Sequence, residues 1–145
     1  MEVYTIGFTQ RSAAAFFGAL SGIGIRRLLD TRLNNTSQLA GFAKRDDLAY
    51  FLHELCGAEY VNEPLLAPTR ELLDAYRTDR ESWDEYAARY LALLAERRVE
   101  DVLDRSLLAG PTVLLCSEPT ADRCHRRLAL EYLAAYWGDV APVHL

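Results

Sequence analysis

The stretch Val113-Leu114-Leu115-Cys116-Ser117-Glu118-Pro119-Thr120-Ala121-Asp122-Arg123-Cys124-His125-Arg126-Arg127 decides how this chain is read. It opens as a short apolar run behind Gly110-Pro111, the pattern of a buried strand. The reading places a fourth strand over Thr112 to Leu115. The chain then turns polar, passes Pro119 and enters helical spacing. A last helix is expected from near Asp122 to Trp137, with Leu128, Tyr132, Leu133 and Tyr136 facing in. Asp122 or Thr120 is expected to cap it, which puts Cys124, His125 and Arg126 in or near its first turn. In an open parallel sheet, ligands bind beyond the carboxyl ends of the strands. Cys116, Glu118, Cys124, His125 and Arg126 are therefore the first candidate site.

Working outward, the same alternation recurs. Val3 to Phe8 reads as a first strand, and Ser12 as the cap of a helix carrying Phe16, Phe17, Leu20 and Ile23 on one face. Leu28-Leu29 leads into Asp30-Thr31-Arg32 at the end of a second strand. A long polar connection follows, with Asn34-Asn35-Thr36-Ser37 as loop signals. Asp46 or Asp47 is expected to cap a helix with Leu48, Phe51, Leu52 and Leu55 on its apolar face, closed by Gly57. Glu59-Tyr60-Val61 reads as a third strand and Val140 to His144 as a final one. Between Thr69 and Leu107 lies a helical region: a helix to about Tyr76, one behind the Ser82/Glu85 capping pattern, and one over Val99 to Leu107. The expected fold is α/β, a single domain over residues 1–145. It has a mainly parallel sheet of about five strands, helices on both faces and a helical insertion before the fourth strand.

Composition bounds the function. The chain has 145 residues and a formal charge of -5, and Lys44 is its only lysine. That charge argues against broad nonspecific nucleic-acid binding, which draws on a basic surface. No apolar run reaches the ~20 residues of a membrane span, and the first residues have no signal-peptide layout. Three cysteines without framework spacing point to reduced thiols and a cytoplasmic setting.

At the N-terminus of a helix, unpaired N–H groups and dipole charge favour an anion and a thiolate. Cys116 or Cys124 then serves as a nucleophile, and Glu118, His125 or Asp30 as a proton-handling group. The competing view makes both cysteines small buried hydrophobes and pairs Arg126 with Glu118. A metal is not expected: Cys124 and His125 are adjacent, and on a helix their side chains diverge by ~100°. No cofactor is expected either. Asp30 and Arg32 form a second candidate pair, as substrate clamp or structural ion pair. Thr5, Gly7 and Thr9 are candidates to line the same pocket as Arg32 and Arg126, which would hold an anionic group. His53 is read as an exposed or half-buried helix residue and His144 as structural, and Tyr76, Trp83, Tyr86 and Tyr90 as core in preference to a stacking platform.

The chain resembles the bacterial and archaeal family called domain of unknown function 488. The resemblance rests on Thr5-Ile6-Gly7-Phe8-Thr9, Asp30-Thr31-Arg32, Cys116-Ser117-Glu118 and Cys124-His125-Arg126. The middle resembles one branch of that family through Asn34-Asn35-Thr36-Ser37, Gly41-Phe42-Ala43-Lys44 and Leu66-Ala67-Pro68-Thr69 leading into the Tyr-rich helix. Thr9 stands where many members have serine. The resemblance implies a compact α/β domain and a functional role for the cysteine-containing motifs, and it names no activity. The expected function is an enzyme acting on a small anionic or nucleotide-like substrate. The alternative is a non-catalytic module that binds a nucleotide or nucleic-acid end for a partner protein.

Overall fold

The computed structural model describes residues 1–36, 41–118 and 121–145. Five parallel strands form one sheet in the order β3-β2-β4-β1-β5. They are β1 (Glu2–Gly7), β2 (Arg27–Asp30), β3 (Glu59–Asn62), β4 (Thr112–Cys116) and β5 (Ala141–His144). β4 is buried at every position, as a central strand covered on both faces must be. The edge strands β3 and β5 are half-exposed. The carboxyl ends of β2, β4 and β1 lie side by side, as expected.

Side chains alternate across the sheet, and the register fixes which face each one takes. Leu28, Val113, Leu115 and Ile6 pack with Phe16, Phe17 and Leu20 of α1 (Ala13–Gly22) and Leu48 of α2 (Arg45–Phe51). Leu29, Leu114 and Val3 pack against the opposite layer. That layer holds α3 (Arg70–Arg77), α4 (Trp83–Glu96), α5 (Val99–Val102) and α6 (His125–Trp137). The helical insertion both pads this face and reaches the strand ends. Tyr86, Tyr90 and Leu94 of α4 enter the core, each such burial stabilising by about 1.5–3 kcal/mol.

Local signals explain most boundaries. Ser12, Thr69 and Ser82 accept hydrogen bonds from the N–H groups of Ala15, Leu72 and Glu85, capping α1, α3 and α4 as read. Four expectations need correction. Lys44, not an aspartate, precedes α2, and Asp46 and Asp47 lie in its first turn. The helix then widens into a π turn at Leu52–Cys56, which rotates Leu55 off the apolar face and leaves it 57% exposed. The stretch after Val99 is one short helix and a separate 3₁₀ turn, because Leu103 goes extended and the Asp104 carboxylate accepts from Ser106 N–H. Tyr136 is exposed and lays its ring on Tyr132 instead of entering the core.

Candidate functional site

β4 ends at Cys116, paired in register with Gly7 of β1. The chain then doubles over Gly7. A Cβ there would stand 1.5 Å from the Glu118 carbonyl oxygen and 2.7 Å from Arg126 Nη1. Only glycine permits that approach. The same carbonyl accepts a 2.7 Å hydrogen bond from Arg126 Nη1. Arg127 braces the returning loop by donating to the carbonyls of Ala121 and Asp122.

α6 begins at His125, later than the sequence reading has it, and Cys124 is its N-cap residue. Asp122 is exposed two residues earlier, and Thr120, like Ser37 and Pro119, lies outside the described residues. Cys124 is extended, with φ -141° and ψ 140°. The ~100° divergence expected of neighbours on a helix therefore does not apply to Cys124 and His125. The Sγ atoms of Cys116 and Cys124 and a ring nitrogen of His125 all lie within 4.8 Å of one another, and all three residues are buried. The two sulfurs are joined in a disulfide, where the sequence reading expects reduced thiols. Cys56 remains a free thiol, half-buried against α1.

The orientation of His125 follows from its partners. The Thr31 hydroxyl donates its proton to the Leu115 carbonyl at 2.8 Å. It therefore offers only lone pairs to His125 Nε2, 3.1 Å away, and the Thr31 carbonyl does the same at 2.9 Å. Nε2 must carry the hydrogen, leaving the Nδ1 lone pair without a hydrogen bond among the described residues. Burial pushes the imidazole down to about 4, against the pull of its bond to Thr31, so the ring is neutral at pH 7.

Arg126 is fully buried. Nη1 also points at Cys116 Sγ, 3.0 Å away, and Cys124 Sγ, 3.8 Å away. Among the described residues Nε and Nη2 have no partner and no carboxylate pairs with this guanidinium. Burial pushes its pKa down to about 10, which leaves it a cation at neutral pH.

Cys116, Cys124 and His125 floor a cavity of about 250 Å³. Tyr76 and Tyr86 form part of its wall, Glu118 stands at its edge, and Arg77 and Arg123 complete the rim. Neither of these arginines makes an ion pair or hydrogen bond among the described residues. Burial raises the Tyr86 hydroxyl pKa well above 10, so it stays a neutral donor.

The second candidate pair turns the other way. Asp30 registers with Leu115, one position before Cys116, and so faces the opposite side of the sheet. Its carboxylate accepts from Arg32 Nε and Nη2, both at 2.8 Å, and from the Tyr60 hydroxyl. Arg32 also donates to the Ala43 carbonyl and lies over the Phe8 ring. Arg32 contributes to the cavity wall, but its guanidinium is committed elsewhere. Thr5, Gly7, Thr9, Asp30 and Arg126 are not on that wall. Thr5 instead meets His144 Nδ1 at 2.6 Å, and Thr9 donates its N–H to the Ser117 carbonyl. Sequence reasoning missed Arg77 and Arg123. Arg123, immediately before Cys-His-Arg, carried a usable signal, whereas Arg77 at the end of α3 carried none.

A family model described as "Domain of unknown function DUF488" matches residues 12–133. No curated protein and no solved structure matches the chain.

Proposed function

This chain belongs to the family described as domain of unknown function DUF488, and from that premise we propose that its cavity acts on a small anionic, nucleotide-like substrate. One observation carries the reading. Two sulfurs and a neutral imidazole meet at the floor of a cavity rimmed by two arginines that have no carboxylate partner among the described residues. Arg77 and Arg123 hold the anionic group through charge-assisted hydrogen bonds. Tyr76, half-buried on the wall, receives a flat ring, since aromatic side chains stack on any base, and the buried Tyr86 ring backs it. The Cys116–Cys124–His125 cluster meets the reacting group, with Glu118 at the edge for proton transfer. Arg126 acts from behind, holding the Glu118 backbone and the sulfurs in place. The protein is read as cytoplasmic; among the described residues no helix is long and apolar enough to cross a membrane.

Calorimetric titration of the full chain with nucleoside monophosphates and with inorganic phosphate tests the proposal. Binding that weakens roughly 5- to 10-fold in Arg123→Ala and in Arg77→Ala supports it, in line with solvent-exposed charged hydrogen bonds. No binding of either probe at millimolar concentration overturns it. One observation favours the non-catalytic alternative: with Cys116 and Cys124 joined, neither sulfur is available as a nucleophile. Turnover that appears only after reduction decides for the enzyme; tight binding without turnover in reduced protein decides for the module.

A further inference from the structure

The floor of this cavity has the composition and geometry of a metal centre. Cys116, Cys124 and His125 are all buried, all line the cavity, and hold their ligand atoms within 4.8 Å. Two thiolates and an imidazole form a soft-to-borderline donor set that suits zinc.

Three further observations point the same way. The Cα atoms of Cys116 and Cys124 are 7.4 Å apart, beyond the ~4.4–6.8 Å that disulfides ordinarily span. Two sulfurs each ~2.3 Å from one tetrahedral ion stand about 3.8 Å apart, which suits the wider separation. Arg126, wholly buried, has two nitrogens without a partner among the described residues and directs the third at both sulfurs. A buried cation needs local negative charge. Thiolate sulfur, free or metal-bound, keeps negative charge density that accepts from the guanidinium N–H, and a neutral disulfide does not. Finally, His125 donates Nε2–H to the Thr31 carbonyl, the bond by which a ligating histidine is usually oriented, and presents the other nitrogen as a lone pair.

We propose that reduced Cys116 and Cys124, with Nδ1 of His125, bind one Zn²⁺ ion and leave a fourth position open to the cavity. Binding releases two thiol protons and forms two Zn–S bonds and one Zn–N bond. Starting from the disulfide, the S–S bond must first be cleaved to two thiols, either by a dithiol that gives two electrons and two protons and becomes a disulfide, or by a phosphine that gives two electrons and becomes its oxide while water supplies the oxygen and both protons. Among the described residues no fourth cysteine, histidine or carboxylate joins the cluster. Three protein ligands and an open position are the arrangement of catalytic zinc, not of structural zinc. The two thiolates neutralise the ion, and Arg126 leaves the floor with a net positive charge facing an anionic substrate. The proposal deepens the functional reading above and rests on the same cavity, but metal binding does not require the substrate.

The test uses the full chain, reduced with a phosphine, stripped of metal and titrated with Co²⁺. One equivalent is expected to produce thiolate-to-metal charge-transfer absorption and the intense visible bands of a tetrahedral site, and Zn²⁺ should displace it. Cys116→Ser, Cys124→Ser and His125→Asn should each weaken binding by more than about 10-fold, while Cys56→Ser leaves it unchanged. Far-UV circular dichroism checks that each variant folds. If a ligand variant does not fold, alkylation of the wild type decides: Zn²⁺ should protect Cys116 and Cys124 and leave Cys56 reactive. A reduced protein that shows no charge-transfer band and no protection overturns the proposal, as does a band that survives all three substitutions. Phosphate titration of metal-free protein in chelator is a separate readout. Failure there with an intact Co²⁺ spectrum sinks the anion-binding reading alone.

Discussion

Gly7→Ala perturbs the site without altering any side chain on the cavity wall. The new methyl carbon would sit 1.5 Å from the Glu118 carbonyl oxygen. Reaching an ordinary contact of about 3.4 Å requires the backbone at 118 to retreat by about 2 Å. That shift pulls the carbonyl off Arg126 Nη1, now 2.7 Å away. Overpacking costs about 1–3 kcal/mol, and losing a hydrogen bond to a charged group costs about 1.5–3 kcal/mol. A total of about 2.5–6 kcal/mol is expected, a large part of the ~5–15 kcal/mol that holds such a domain together. Urea unfolding at pH 7.5, followed by fluorescence of Trp83 and Trp137, measures it. Gly18→Ala is the control: it lies in α1, a Cβ there meets nothing, and a gain of up to about 1 kcal/mol is expected. If Gly7→Ala unfolds within about 0.5 kcal/mol of the wild type, the doubled-back loop is not packed on Gly7 and the argument fails.

Asp30→Asn should cost about 3–5 kcal/mol, because it strips the carboxylate from the buried, bidentate Arg32 pair; a loss below about 1 kcal/mol in urea melts would mean that Arg32 finds another counterion. The second expectation concerns acid. The unfolded imidazole of His125 takes its proton near 6.5 and the folded one near 4. Between those values the unfolded chain binds more protons, so stability falls as pH falls. Metal-free protein should lose about 2 kcal/mol between pH 7 and pH 5 from this residue. His125→Phe should flatten that slope, and an unchanged slope would assign the acid sensitivity to other groups.

The sheet was legible because its signals are local. Apolar runs of four to six residues alternate with helical spacing, and a hydroxyl cap such as Ser12, Thr69 or Ser82 is read from one side chain and the N–H three residues on. The motif pair Cys116-x-Glu118 and Cys124-His125-Arg126 was legible for a related reason: a strand end and the following helix start meet in any parallel α/β sheet. The tertiary structure decided the rest, because facing and distance between elements are set by register and packing. Asp30 and Cys116 end adjacent strands, yet a one-position offset in register sends them to opposite faces. Cys124 and His125 converge only because Cys124 is extended where the sequence reading placed a helix. The sequence makes Arg126 an anion-holding group or an ion-pair partner of Glu118, and Gly7 shows why its guanidinium lies behind the cavity: the Glu118 backbone folds over the glycine and accepts from Arg126 Nη1. Arg77 reaches the rim from a helix about forty residues before Cys116, brought there by the packing of α3 on α4 and of α4 on α6, which no local pattern encodes.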